Sequence, residues 1–139
     1  MTYDNVQIKI IQSAKIQDLI QIYKEAGWWE PSWEQNSDFL NLIVKNSAVF
    51  VGALLDNKLV GMGRALSDLS SDAYIQDLAV LKKFRGQGIG KKIIQKLIEQ
   101  LKAENVDWIG VVAQPGTTWF YEKLGFEQLK DHTPLKLKN

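Results

Sequence analysis

Residues 82–92 read Lys82-Lys83-Phe84-Arg85-Gly86-Gln87-Gly88-Ile89-Gly90-Lys91-Lys92. The run before them, Ala73–Leu81, has the apolar character of a strand. The run after them, Gly88–Glu104, carries one apolar stripe of Ile89, Ile93, Ile94, Leu97, Ile98 and Leu101, the spacing of a helix packed on one face. Three alternate glycines at such a junction let the backbone turn tightly and let a ligand approach without Cβ interference. The first N–H groups of a helix have no partner within it, and together with the helix dipole they form an anion site. Charge supports that reading. A helix start favours acids, yet Lys91 and Lys92 stand in this first turn while Glu99 and Glu104 lie toward the far end. Each misplaced charge costs roughly 0.3–1 kcal/mol unless something compensates. Five cations and no acid between 82 and 92 fit a phosphorylated ligand; a solvated basic surface is the plainer alternative. Two nucleotide motifs fail on the residues. The dinucleotide fingerprint from Gly86 needs glycine where Lys91 stands, and a P-loop ending at Gly90-Lys91 needs glycine at Arg85 and a hydroxyl at Lys92.

Outward from this junction, the pattern predicts alternating strands and helices. Val6, Ile8 and Ile10 alternate as in a strand, and Ile16, Leu19, Ile20 and Tyr23 follow helical spacing, with Ser13 a candidate N-cap and Gly27 a stop. Ser32 with Gln35 fits a capping box, which predicts a second helix from there to about Lys45. Ala48–Leu55 and Lys58–Leu66 read as strands joined at Asp56-Asn57. Asp107–Val112 is a further strand, and Thr117–Leu124 a short helix between Pro115 and Gly125. Phe126–Leu129 and Leu135–Lys138 read as closing strands. The order is β-α-α-β-β-β-α-β-α-β with a final β in prospect. Three consecutive strands exclude a purely alternating doubly wound fold and predict a mixed sheet with helices on its faces.

Length and composition bound the function. At 139 residues and 15.8 kDa, with 45% hydrophobic and 24% charged residues, the chain is predicted to be a single domain over 1–139 that needs no staple. It has no cysteine, which excludes disulfides, Cys nucleophiles and Cys-ligated zinc. A net charge of +1 argues against a dedicated nucleic-acid binder. The longest apolar run, Ala48–Leu55, is too short to span a bilayer. Met1-Thr2-Tyr3-Asp4-Asn5 carries no cationic segment before an apolar one, so no signal peptide and a cytoplasmic location are expected. His132 lies outside every motif, and one His without Cys makes no metal site.

The chain resembles the GNAT superfamily of acetyl-CoA-dependent N-acetyltransferases. The signature of Arg or Gln, two residues, Gly, one residue, then Gly or Ala is matched by Arg85, Gly88 and Gly90. Tyr74-Ile75-Gln76-Asp77-Leu78-Ala79-Val80 before it and Phe120-Tyr121-Glu122-Lys123-Leu124-Gly125-Phe126 after it are similar to the family too. The resemblance implies an α/β (α+β) fold with a mostly antiparallel sheet of 6–7 strands and about four helices. It implies acetyl-CoA as donor, its pyrophosphate on the amides of Arg85, Gly86, Gln87, Gly88, Ile89, Gly90 and Lys91, and its pantetheine arm along Leu78, Ala79 and Val80. That strand is expected to splay from Asp107–Val112, and the bulge supplying the oxyanion donor is expected at Val80 or its neighbour. Many members have Asn where this chain has Gln114, the expected contact to the pantetheine.

Acetyl transfer to an amine needs a proton acceptor, oxyanion stabilisation and a proton for the departing thiolate. The resemblance makes Tyr121 the general acid; packing on the sheet is its alternative. Asp77 interrupts an apolar strand next to the cofactor segment and is the candidate base or ammonium anchor, with an ion pair to Arg64 as its alternative. Trp28, Trp29 and Trp33, three of the five tryptophans, are candidates to wall the acceptor site or to pack in the core. The leading function is direct transfer from acetyl-CoA to a primary amine of a small molecule or peptide, without a metal or a covalent intermediate. A non-catalytic CoA-thioester-binding module and an enzyme acting on a protein N-terminus or aminoacyl-tRNA are the competing readings. A homodimer through the terminal strands or the Trp-bearing segment is a candidate assembly.

Overall fold

The computed structural model describes residues 5–139; Met1–Asp4, most of the segment read for a leader, lie outside the described residues. Five strands form one sheet in the order β1-β2-β3-β4-β5, with β1 Gln7–Ile10, β2 Val49–Leu55, β3 Lys58–Ser67, β4 Asp72–Val80 and β5 Trp108–Val111. The first three pairings are antiparallel and β4–β5 is parallel. The helices are α1 Ile16–Glu25, α2 Phe39–Asn46, α3 Ile89–Ala103 and α4 Thr118–Lys123. The sheet is therefore mixed and mostly antiparallel, as expected. Its strands number five among the described residues, not six or seven, because Phe126–Leu129 and Leu135–Lys138 form no ladder. A strand exists only where its N–H and C=O groups find a neighbour, and alternation alone does not supply one.

Alternation along β3 sets the two faces. Gly63 lies under α3, where a Cβ would fall 2.8 Å from Ile93 Cγ2 and 3.2 Å from Leu97 Cδ1. Arg64, the next residue, points to the opposite face and joins a network with Tyr23 of α1. The apolar stripe of α3 is buried as predicted at Ile89, Ile93, Ile94, Leu97 and Leu101, while Ile98 packs at the edge. Asp56 and Asn57 take φ of 50° and 65°, the double left-handed turn that joins two strands tightly.

Two helix starts differ from expectation. Ser13 does not cap α1; the helix begins after Lys15, whose N-cap position has no side-chain hydrogen bond. The capping box at Ser32 does not form, and the long second helix is two pieces. Pro31–Gln35 is a 3₁₀ turn, Asn36 is extended at φ −151°, and α2 begins only at Phe39. Asn36, Ser37 and Asp38 are residues whose side chains compete for backbone hydrogen bonds, which favours a break there. The break lets Trp33 reach Phe39 edge-on at 4.9 Å and Tyr23 at 6.4 Å.

Candidate acetyl-transfer site

β4 is bent by a bulge. Arg64 pairs with Gln76 and Met62 with Ala79, so Gly63 alone faces both Asp77 and Leu78. Asp77 sits at φ 58°, a conformation that Asp tolerates better than most residues. The extra residue of a bulge turns the strand and sharpens its twist. β4 accordingly leaves β5 here: their pairing ends at Ile75 opposite Val111, and Gln76–Val80 keep only β3 as neighbour. The bulge thus lies at Asp77–Leu78 rather than at Val80, because Gly63, with no side chain to lodge between strands, is the residue opposite it.

The splay opens a cleft of about 190 Å³ lined by Trp28, Tyr74, Ile75, Gln76, Asp77, Leu78, Val111, Val112, Gln114 and Tyr121. Asp77 is its one charged group. Its Oδ2 accepts from Tyr23 Oη at 2.9 Å and from Arg64 Nε at 2.8 Å, so the ion pair read as the alternative is present, and it forms part of the cleft wall. Arg64 also donates to Gln76 Oε1 at 3.2 Å. Oδ1 of Asp77 has no protein partner among the described residues and keeps contact with solvent. Burial, then the neighbouring Asp77 carboxylate, push the Tyr23 hydroxyl far above its ordinary range, so it remains a donor.

Tyr121 comes from α4, which starts after Thr117 and stops before Gly125 at φ 100°. It packs edge-on against Phe120 at 5.0 Å and Phe126 at 5.7 Å, yet its hydroxyl retains access to the cleft. Burial, then the nearby Tyr74, raise its pKa, which keeps the phenol protonated at neutral pH. The packing read as the alternative is present, and it leaves the residue on the cleft wall.

Past the bulge, Leu78, Ala79 and Val80 lead to the glycine loop. Arg85 Nε donates to the Val80 carbonyl at 2.8 Å, and Glu25 Oε1 accepts from the Lys82 N–H at 2.9 Å. These bonds tie the loop to the end of β4 and to α1. Gly86 and Gly88 both take φ +80° with open space where a Cβ would stand. Gly88 is the N-cap of α3, and the first α-helical bond runs from Lys92 N–H to the Gly88 carbonyl. The amides of Ile89, Gly90 and Lys91 therefore precede the intrahelical ladder, beside exposed Lys91 and Lys92. Gln87 lies within the same loop, with its amide 3.4 Å from the Phe84 carbonyl.

Of the three clustered tryptophans, Trp28 lines the cleft. Trp29 donates its indole N–H to Glu34 at 2.9 Å and stacks edge-on with Trp33 at 5.4 Å. His132 is exposed in a turn against the Lys130 carbonyl. Sequence reasoning missed Tyr23 and Tyr74. Tyr74 was within reach, two residues before Gln76 on one strand face, but Tyr23 reads as an ordinary core position and meets Asp77 across 54 residues.

A family model described as "Acetyltransferase (GNAT) family" matches residues 14–126, spanning every element from α1's approach to the Phe126 turn. The chain belongs to the GNAT acetyltransferase family. The GNAT chain is 31% identical to the uncharacterized N-acetyltransferase ycf52 of Pyropia yezoensis, over 97% of its own length and 79% of that protein's. Among solved structures, a GNAT-family acetyltransferase from Streptococcus pneumoniae TIGR4 superposes with a TM-score of 0.80 at 26% identity, covering 96% of this chain and 98% of that one. Glucosamine-6-phosphate N-acetyltransferase from Arabidopsis thaliana, at 17% identity, has a TM-score of 0.73 over 97% of this chain and 100% of its own; it shares the fold. GNAT enzymes use acetyl-CoA as a rule, and among the described residues no three His, Cys, Asp or Glu side chains gather to hold a metal.

Proposed function

We propose that this acetyltransferase moves the acetyl group of acetyl-CoA directly to a primary amine of a small molecule or peptide, both bound together in the β4–β5 cleft. The observation that carries the reading is the continuity of one surface. The glycine loop opens at one end of the splayed β4 edge, and Asp77 and Tyr121 line the cleft at the other.

The residues fit the donor. Gly86 and Gly88 leave open space over the loop, so a phosphate can rest on the amides of Gly86 to Lys91, and Lys91 and Lys92 add the opposite charge. The β4 edge at Leu78–Val80, free of β5, offers backbone groups to the amides of the pantetheine arm, and Gln114 stands across the cleft. When bound, acetyl-CoA supplies the activated thioester.

Asp77 Oδ1 accepts a hydrogen bond from the acceptor's ammonium, while Tyr23 and Arg64 hold Oδ2 still. Among the residues that line the cleft Asp77 alone is charged, and although Arg64 already pairs its Oδ2, its Oδ1 is the oxygen that can accept from an ammonium there. Asp77, directly or through water, takes the proton that makes the amine nucleophilic. The bulge amides at Asp77–Leu78 donate to the oxygen that gains charge, and Tyr121 Oη gives its proton to the departing sulfur. Trp28 adds an aromatic face to the cleft wall. A chain without cysteine has no thiol to carry the acetyl group in between.

The test is calorimetric titration with acetyl-CoA of wild type and Gly88→Trp, followed by an amine screen that detects released thiol. Saturable binding lost in Gly88→Trp, with turnover reduced ~10²–10⁴-fold in Tyr121→Phe, is the expected result. Folded protein that binds no acetyl-CoA at millimolar ligand overturns the proposal. Turnover only with folded protein or aminoacyl-tRNA acceptors overturns the small-amine part of it.

A further inference from the structure

Arg64 holds two residues of the cleft wall at once. Its Nε donates to Asp77 Oδ2 at 2.8 Å, and its Nη2 donates to Gln76 Oε1 at 3.2 Å. A guanidinium carries donors only, so the atom that Gln76 turns to it is the amide oxygen, and the amide NH2 points away. That NH2 has no protein partner among the described residues and keeps contact with solvent. Register accounts for the placement. Arg64 pairs with Gln76 and Leu66 with Tyr74, so Gln76 and Tyr74 share one face of β4, the face turned away from α3.

Gln76, Tyr74 and Trp28 line the cleft together with Asp77. The wall thus sets a neutral donor, Gln76 Nε2, beside an anionic acceptor, Asp77 Oδ1. Because one planar guanidinium holds the other atom of each group, the two lie within the span of one small molecule. The residues that line the cleft include no lysine, arginine or histidine, and Arg64 behind them is only 14% exposed. An acceptor bearing a carboxylate or phosphate near its amine would bring a second anion toward Asp77 with no cation to meet it. A neutral oxygen is what Nε2 can serve.

We infer that Gln76 is a specificity-determining residue of the acceptor site. Its Nε2 donates to a neutral oxygen, a hydroxyl or an amide carbonyl, carried a few bonds from the acceptor's amine nitrogen, while Asp77 Oδ1 takes the ammonium. The inference rests on the acetyl-transfer reading above and deepens it by naming the substrate class: short primary amines with a neutral oxygen near the nitrogen. Selection works by loss. A plain alkylamine of the same length leaves Nε2 stripped of water and without a partner, which costs more than the made bond contributes. Arg64 makes the choice one-sided. With Oε1 turned to Arg64, Gln76 offers the cleft its donor end, so a second ammonium in that place meets N–H groups and is repelled.

The test compares kcat/KM, read by thiol release at saturating acetyl-CoA, for three amines of matched length: propanolamine with its hydroxyl at the chain end, butylamine and trimethylenediamine. Wild type, Gln76→Met and Gln76→Glu are measured side by side, and ratios between amines within each protein cancel differences in folded fraction. The propanolamine-to-butylamine ratio is expected to fall about 2–10-fold from wild type to Gln76→Met, which keeps the length and loses the donor. In Gln76→Glu one oxygen still accepts from Arg64 and the other now faces the cleft, so the trimethylenediamine-to-propanolamine ratio is expected to rise. A propanolamine-to-butylamine ratio that is the same in wild type and Gln76→Met overturns the inference, because Gln76 then acts only as a prop for Arg64. A diamine ratio unmoved by Gln76→Glu overturns it too. Folded protein that binds acetyl-CoA and acetylates none of a wider amine panel overturns the acetyl-transfer reading and this inference with it, whereas turnover with unmoved ratios overturns the inference alone.

Discussion

Tyr23→Phe isolates the knot that holds the bulge. The substitution removes one O–H and keeps the ring edge-on against Trp28 at 5.6 Å and Trp33 at 6.4 Å. What is lost is a 2.9 Å hydrogen bond to a carboxylate that is 19% exposed and still paired with Arg64. Hydrogen bonds to charged groups contribute about 1.5–3 kcal/mol. At about 2.1 cal/mol/K per residue, unfolding a chain of this length carries about 0.29 kcal/mol/K, so Tm falls by about 5–10 °C. Asp77→Asn completes a cycle, since Asn accepts the left-handed backbone at 77 as Asp does while losing the charge. In that background Tyr23→Phe should cost only about 0.5–1.5 kcal/mol, the value for a neutral hydrogen bond. Urea unfolding of the four proteins gives a coupling of about 1–2 kcal/mol. A coupling below about 0.5 kcal/mol, the level at which independent sites add, refutes the idea that Tyr23 acts through the carboxylate. Kinetics add a second readout: KM for the amine rises in Tyr23→Phe while acetyl-CoA affinity holds.

Alkaline stability should fall early and be traceable to two phenols. Tyr23 and Tyr121 hold their protons more tightly folded than unfolded, so the unfolded chain ionises first, from about pH 10. Their stabilisation is full below that pH and is lost as pH rises toward the folded values; Tyr23→Phe should flatten the decline measured by thermal melts above pH 10. Gly86→Ala and Gly88→Ala force a Cβ into φ +80° without any clash, so each should cost about 1 kcal/mol and weaken acetyl-CoA binding in calorimetry. Gly90→Ala, whose Cβ would meet Phe120 at an ordinary 3.5 Å inside α3, should keep both stability and binding. Gly63→Ala overpacks the β3–α3 contact at 2.8 Å from Ile93 Cγ2 and should destabilise by about 1–3 kcal/mol in urea.

Local signals carried the architecture far. The stripe of α3, the Asp56-Asn57 turn and the Gly88 start of α3 were legible because each depends on residues within one turn of one another. Tyr121, the glycine loop and the pocket-lining Gln114 were legible as candidates for the same reason, as motif positions on such elements. Three things were not. The break at Asn36 answers to Trp33 packing on Phe39 and Tyr23, which a capping pattern at Ser32 does not contain. The bulge at Asp77–Leu78 depends on what stands opposite, Gly63 on another strand. Phe126–Leu129 and Leu135–Lys138 read as strands and form none, since a strand-like pattern specifies a face and pairing needs a partner edge.

The sequence by itself determined the order of elements from β1 to α4, the glycine turn at 86–90 and the candidacy of two side chains, Tyr121 and Asp77. Tertiary structure alone decided what those side chains can do. It set Tyr23 and Arg64 on one oxygen of Asp77 and left the other to the cleft, and it buried the Tyr121 ring while opening its hydroxyl. Periodicity and turn chemistry act over a few residues and are written locally. A carboxylate's partners come from 13 and 54 residues away, and only the closed sheet brings them within hydrogen-bond reach.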